Sequence, residues 1–252
     1  MVWQTKGEIM LTKTIIKNRI LDKIASHKDI KAILEMGAGN ESTFVIRKAL
    51  SNNNKGYCLS LEAHHGYYES ITSKMANGKH GRIEYSPLVY DGKMMRYSYK
   101  FSDKDKFDFI YIDGPGDTEV TDTRTGKVVD SKKIMRQFLS GKNIWVDPDC
   151  PKGGRSSTFL MDYILPTMNK DAIIIVDSRK MSVMYFYQKY HNVCDFDYVG
   201  GPISEKYFKR MVKKRYHEVV KFRPHLLTII TNKSSKKSKS ILKELSLKSL
   251  IL

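Results

Sequence analysis

The stretch Lys31–Thr43, KAILEMGAGNEST, read with the Glu62 that closes the next apolar run, GYCLSLE, constrains this chain more than any other feature. An apolar run that breaks into Glu35-x-Gly37-x-Gly39 predicts a buried strand, Ala32–Met36, ending in a glycine turn. Glycine at those positions reaches backbone conformations closed to other residues and lets a ligand lie against the main chain. Asn40-Glu41-Ser42-Thr43 then opens a helix, FVIRKAL, whose free N–H groups face the same turn. Glu62 adds a carboxylate at the end of a second strand, Tyr57–Leu61, placed to accept hydrogen bonds from two adjacent ribose hydroxyls. This pattern specifies a Rossmann-like sheet that holds a nucleoside, with Ala63 and His64 beside the ribose acid.

The turn also discriminates between nucleosides. A dinucleotide site needs a third glycine and a helix N-terminus aimed at a pyrophosphate. Here the third position is Ser42, and an acid, Glu35, stands ahead of the first glycine. An acid at the strand tip repels a pyrophosphate and suits a ligand with positive charge near the turn. S-adenosylmethionine carries a sulfonium and an ammonium and no phosphate. The expected cofactor-binding residues are therefore Glu35, Gly37, Gly39, Ser42, Thr43, Glu62, Ala63 and His64.

On these residues the chain resembles class I S-adenosylmethionine-dependent methyltransferases. Glu35–Thr43 matches their first motif, Glu62 their ribose-binding acid, and FDFIYIDGPGD (Phe107–Asp117) the fourth-strand motif that faces the transferred methyl, which adds Asp113 to the cofactor set. More narrowly, ExGxGxST, LExxxxYY, DFIYIDGP, GGRSS and AIIIVDSR are similar to the methyltransferases that act on sugar or polysaccharide hydroxyls. The resemblance covers about Lys31 to His191. It implies a mostly parallel seven-stranded Rossmann-like sheet with helices on both faces, S-adenosylmethionine as cofactor, and O-methylation of a sugar or glycan.

An alcohol acceptor must lose a proton, so a base or a metal is needed. Asp113 follows the strand Phe107–Ile112, and Asp177 follows the apolar run Ala172–Val176. Two carboxylates on neighbouring strand ends could bind a divalent ion such as magnesium, with Asp117 as a third ligand. The pair resembles that of metal-dependent O-methyltransferases, which place an Asp-Asn pair after the fifth strand; here Ser178 stands in the Asn position. The alternatives are that one carboxylate acts as a general base without metal, or that Asp177 caps the next helix. Arg155, in Gly153-Gly154-Arg155-Ser156-Ser157, could hold an acidic acceptor by a bidentate contact or pair with either Asp. One of His64 and His65 could contact the cofactor or act as a base, or both could simply start a helix, and Tyr67 and Tyr68 could stack on adenine or pack in the core.

Between the two Asp-bearing strands lies a polar segment, Asp117–Lys152, too long for a simple connection, with a short helix expected at Lys132–Leu139. Leaving the carboxyl end of a central strand, it overhangs the ligand crevice and reads as acceptor site or lid. Elsewhere, residues 11–28 read as an amphipathic helix on Ile15, Ile16, Ile20, Leu21 and Ile24. Arg82–Tyr90 and Met94–Phe101 read as a strand pair turning at Asp91-Gly92-Lys93. A helix is expected at about Ser156–Met168, and last strands at Phe196–Val199 and Leu226–Thr231.

The chain has 252 residues, 41% hydrophobic, enough for one α/β domain over residues 1–232. Three widely spaced cysteines without a CxxC pair argue against a disulfide framework or zinc site. Neither a secretion signal nor a bilayer-spanning run is legible, so a cytoplasmic protein is expected. The formal charge of +17 draws the chain toward polyanions, nucleic acid among them. It is concentrated at Lys206–Arg223 and in the tail, Lys233–Lys248, which begins as a Lys/Ser stretch expected not to order itself and ends in a short amphipathic helix, ILKELSLKSLIL. An RNA methyltransferase, or a non-catalytic nucleic-acid-binding subunit with the same fold, is the competing reading. Asp113-Gly114-Pro115 weakens it, standing where an Asn/Asp-Pro-Pro motif would serve a base-modifying enzyme.

Overall fold

The computed structural model describes residues 6–115, 119–131, 133–134, 160–177, 179–199 and 227–246. Along the chain come α1 (Lys6–Ser26), β1 (Ala32–Met36), α2 (Ser42–Asn52), β2 (Tyr57–Glu62), α3 (His65–Thr72) and β3 (Gly81–Tyr85). Four short strands and a longer one follow: β4 (Leu88–Tyr90), β5 (Met95–Tyr97), β6 (Phe107–Ile112), β7 (Glu119–Asp122) and β8 (Val128–Asp130). The rest is α4 (Leu160–Ile164), a 3-10 turn, β9 (Met168–Asp177), α5 (Lys180–Tyr190), β10 (Cys194–Val199), β11 (Leu227–Asn232) and α6 (Lys236–Glu244).

Seven strands form one sheet in the order β10-β11-β9-β6-β1-β2-β3. β3, β2, β1, β6 and β9 are mutually parallel, and β11 runs antiparallel to both β9 and β10. This is the mostly parallel Rossmann-like sheet that the sequence implies. The chain first walks outward from β1 to β3, then returns to β6 and continues the other way. The order therefore reverses between β1 and β6, and the crevice at their carboxyl ends is where open α/β sheets bind ligands.

Period-two alternation decides what each face carries. Ile33, Cys58, Phe109, Tyr111, Ile173 and Ile175 pack under Ile20, Leu21 and Ile24 of α1 and Ile46, Ala49 and Leu50 of α2. Leu34, Met36, Ile110, Ile112, Ile174 and Val176 point the other way, against Leu160 and Ile164 of α4 and Val183 and Phe186 of α5. Helices thus cover both faces. Continuing the count, Glu35, Asp113 and Asp177 fall on the face that α1 and α2 cover. α1 begins at Lys6, earlier than expected; of the expected stripe Ile16, Ile20, Leu21 and Ile24 pack against the core, whereas Ile15 is 42% exposed.

A second sheet, β5-β4-β7-β8, was not anticipated as such. The strand expected over Arg82–Tyr90 is split: β3 stays in the large sheet and β4 leaves it. Pro87 sits at the break, where it has no N–H to continue a ladder; Ser86 N donates to Glu62 O (2.7 Å) and Ser98 N to Pro87 O (2.8 Å). The Asp91-Gly92-Lys93 turn forms as expected, with Asp91 Oδ1 accepting from Lys93 N and Met94 N at 2.9 Å each and Gly92 at φ +92°. Part of the polar segment after Asp113 supplies β7, which pairs parallel to β4, and β8. Of the expected helix Lys132–Leu139, only residues 133–134 are among the described ones. β10 and β11 match the expected last strands closely.

The Lys/Ser stretch after β11 is also corrected, because it is helical from Lys236 to Glu244. Ser235 caps it by accepting from Ser238 N (3.0 Å), and Ser238 Oγ donates to Asp171 O (3.1 Å). Ile241 is buried, Lys23 Nζ reaches Leu245 O (3.4 Å), and Lys236, Lys237, Lys239 and Lys243 face outward. What reads as low complexity is a serine and leucine stripe against the body with lysines on the wet side. Residues 247–252, and the basic stretch Lys206–Arg223, lie outside the described residues. Among the described residues no helix is long and apolar enough to cross a membrane.

Candidate active site

Glu35 lies beneath the glycine turn rather than open to it. It is wholly buried, and three hydroxyls satisfy it: Ser42 Oγ donates to Oε1 (2.6 Å), while Thr43 Oγ1 (2.6 Å) and Ser60 Oγ (2.7 Å) donate to Oε2. Thr43 Oγ1 in turn accepts from Gly39 N (3.0 Å), so the carboxylate holds the turn, the start of α2 and β2 in one network. Burial pushes its pKa up to about 7, against the pull of the three hydroxyl bonds. Glu35 can act on a cationic ligand only through the turn that covers it.

The turn itself is tied to its neighbour. Gly37 has φ +86°, and a Cβ there would stand 2.4 Å from both Cα and N of Gly114. Asp113 N and Gly114 N both donate to Met36 O, at 2.9 and 2.8 Å, and Gly37 N donates to Leu61 O at 2.9 Å. The turns after β1 and β6 therefore touch backbone to backbone, which only glycine at both places permits.

Glu62 ends β2 next to this turn. Its Oε1 accepts from His64 N (2.7 Å). Burial raises its pKa, while the N–H groups of His64 and Ala63 lower it. His64 is the N-cap of α3, its Nδ1 accepting from Tyr67 N at 3.4 Å. His65 pairs with Glu69 (3.4 Å), and Tyr68 packs near Ile71 and Ile83, whereas Tyr67 is 63% exposed. From Ala63 and His64 a groove of about 810 Å³ runs between Tyr85, Pro87 and Leu88 on one side and β7–β8 on the other.

Asp113 and Asp177 come together as expected. Tyr111, two residues before Asp113 on the same face, sets its hydroxyl 3.1 Å from Asp177 Oδ2 and 3.3 Å from Asp113 Oδ2. Two cations join them: Lys17 Nζ of α1 lies 3.5 Å from Asp177 Oδ2 and 3.9 Å from Asp113 Oδ2, and Arg179 Nη2 lies 3.4 Å from Asp113 Oδ1. Burial, then the charge of Asp177, push the Asp113 pKa up to about 6, while Arg179 and Lys17 pull it back. Asp113 remains about one third exposed and Asp177 is 7% exposed at the side chain, so only the former opens onto the crevice.

This donor set does not fit a divalent ion. Magnesium needs near-octahedral oxygens at about 2.1 Å, and one oxygen of each Asp already faces the Lys17 ammonium, at 3.9 and 3.5 Å. Among the described residues no group of three or more His, Cys, Asp or Glu side chains could hold a metal. Arg155, Asp117 and Ser178 lie outside the described residues. The N-cap position of α5 is Arg179.

Lys17, Tyr111 and Tyr97 were missed by the sequence reading. Tyr111 was findable, since alternation from Asp113 puts it on the same face. Tyr97 is wholly buried beside Gly114, its hydroxyl 3.3 Å from where a Gly114 Cβ would stand. Nothing local marks Lys17 or Tyr97.

No family model matches the chain, and no curated protein sequence matches it. Solved structures do. An S-adenosylmethionine-dependent O-methyltransferase from Thermotoga maritima is 11% identical over 85% of this chain, with TM-score 0.43; the chain spans 64% of that protein's length. An O-methyltransferase from Bacillus cereus, in complex with SAH, is 13% identical over 91% of this chain and 82% of its own, with TM-score 0.42. The plantazolicin methyltransferase, also with SAH, is 9% identical over 88% of this chain and 84% of its own, with TM-score 0.42.

Proposed function

We propose that this chain is an S-adenosylmethionine-dependent O-methyltransferase whose acceptor is a hydroxyl of a sugar or glycan. The observation that carries the reading is Asp113, a partly exposed carboxylate with a raised pKa on the turn that abuts the glycine turn of β1. Because β6, β1, β2 and β3 lie side by side in that order, a cofactor laid across their ends would set its methionine end over Gly37–Gly39. Its ribose would meet Glu62, and its base would enter the groove toward Tyr85 and Pro87. The transferable methyl would then face Asp113.

Chemistry at that point is an in-line displacement. A bound S-adenosylmethionine would supply the electrophilic methyl and keep the released electron pair on its sulfur, while Asp113 would take the proton of the acceptor hydroxyl. The charges of the sulfonium and the carboxylate vanish together. A carboxylate titrating near 6 is mostly ionised at neutral pH yet more basic than an ordinary one, as a general base should be.

The sugar or glycan acceptor rests on the resemblance of ExGxGxST, GGRSS and AIIIVDSR to enzymes of that specificity. The place of α6 takes the basic tail away from the acceptor crevice. That basic helix is anchored at Asp171, near the amino end of β9, six residues or roughly 20 Å of strand from Asp177. Its lysines do not line the crevice.

Incubation with labelled S-adenosylmethionine and separate glycan, RNA and phenol pools tests the reading. Label should enter the glycan pool, and Asp113→Asn should depress turnover by about 10²- to 10⁴-fold with cofactor affinity kept. Binding of NAD as tight as that of the methyl donor would overturn it.

A further inference from the structure

The two carboxylates at the ends of β6 and β9 are held by a cation from a third element. α1 crosses the face of the sheet that carries Tyr111, Asp113 and Asp177, fixed there by Ile20, Leu21 and Ile24. Lys17 sits one turn before Ile20 and Leu21, so the same packing that buries the helix aims its side chain at the crevice edge. Its ammonium lies within 4.0 Å of one oxygen from each Asp, at 3.5 and 3.9 Å, and its side chain is only 15% exposed. Arg179 takes the other oxygen of Asp113, at 3.4 Å, and is equally shielded. Tyr111 lies against the same two oxygens that face Lys17.

Charge explains why the arrangement holds. Two carboxylates this close repel, and burial adds a desolvation cost to each. Something positive must stand between them. The Lys17 ammonium, 3.5 and 3.9 Å from the two Oδ2 atoms, supplies the positive charge that a divalent ion would otherwise bring.

We propose that Lys17 is the resident cation of the Asp113–Asp177 pair: it supplies the charge a divalent ion would bring, positions Asp113 for proton acceptance, and makes the centre independent of metal. The ammonium neither gives nor receives a proton in the reaction. It keeps the carboxylates together and fixes the direction in which Asp113 presents its free edge. α1 is on this view a component of the site and not only packing. The catalytic part of the inference rests on the methyl-transfer reading above; the metal part does not.

The experiment compares the full chain with Lys17→Met and Lys17→Arg. Manganese binding is followed by electron paramagnetic resonance, cofactor binding by calorimetry, and turnover with and without chelator. The wild-type chain should bind no stoichiometric manganese, and chelator should leave its turnover unchanged. Lys17→Met should lower kcat by about 10²-fold, the scale of a misplaced reacting group, with cofactor affinity within about twofold. Lys17→Arg should restore part of the loss, which a purely structural role would not require. One manganese per wild-type chain, lost in Asp177→Asn, overturns the proposal, as does wild-type kcat in Lys17→Met. Should Lys17→Met fail to fold, the manganese titration of the wild-type chain and the kcat of Lys17→Arg still decide it. If no acceptor pool is methylated at all, the functional reading fails, while the manganese result still tests the cation.

Discussion

Replacing Glu35 with glutamine should flatten the dependence of stability on pH. In the folded chain this acid titrates near 7, above its ordinary 4.5, because it is wholly buried. A folded-state pKa above the unfolded one means that the folded chain binds the proton more tightly. The stability this contributes is complete below pH 4.5 and is lost as pH rises to about 7. At 1.36 kcal/mol per pKa unit the full loss is about 3 kcal/mol, of which about 2.5 kcal/mol falls between pH 5 and pH 8. Asp113 and Glu62, also raised, slope the same way in both proteins, so the difference between the two curves isolates Glu35. Glutamine keeps the shape and one acceptor oxygen, and the hydroxyl of Ser42 can turn to accept from the new amide. Urea unfolding at pH 5, 6, 7 and 8 should show the variant gaining on the wild type by about 2.5 kcal/mol across the series. Parallel curves, within about 0.5 kcal/mol, would refute the reasoning. They would mean that three hydroxyl donors and the start of α2 keep the buried carboxylate ionised at its ordinary pKa.

Three further outcomes are expected. Gly37→Ala should destabilise the fold by about 3 kcal/mol, combining a positive φ with loss of the bonds to Met36 O; a thermal melt shifted by less than the equivalent of about 1 kcal/mol would contradict it. Glu62→Ala should weaken S-adenosylmethionine binding by about 1.5–3 kcal/mol in calorimetry while leaving the far-ultraviolet spectrum intact, and unchanged affinity would remove Glu62 from the ribose site. Truncation after Asn232 should cost about 2 kcal/mol or more in urea unfolding, because it uncovers the surface under Ile241 and strips Asp171 of two serine partners. A truncated chain as stable as the whole would show α6 to be an appendage.

The parts of the site that come from strand ends were legible, because a strand announces itself by an apolar run and its end by a glycine or an acid. Glu35, Glu62, Asp113 and Asp177 all stand at such ends, and all four lie where the sheet order brings them. Legibility stopped where a residue's role depends on a partner remote in sequence. Lys17 is one of forty-four basic residues, on a helix whose orientation is decided by which sheet face it covers. β4 and β7 have three and four residues and pair across some thirty positions of chain, too short for alternation to register in either alone. Serines in the tail misled for the opposite reason. Their composition resembles a linker, yet Ser235 and Ser238 are spaced as an N-cap and its first-turn partner, and only Asp171 opposite makes that spacing count. Glu35 was found but its surroundings were not, since nothing in Ser42, Thr43 or Ser60 says that their hydroxyls turn toward the same carboxylate.

The contact between Gly37 and Gly114 limits how a crevice of this kind can diversify. Neither position can acquire a side chain without parting two turns that share hydrogen bonds, so the floor is closed to change by single substitution. The rim is less restricted: Val120 is packed into the main core, but Glu119, Thr121, Val128 and Asp130 line the groove beside Tyr85 and Pro87. New acceptor preferences in such a chain would accumulate in the segment after Asp113, leaving the floor unaltered. A library aimed at altered specificity should randomise the groove-lining Glu119, Thr121, Val128 and Asp130 and leave both glycines alone.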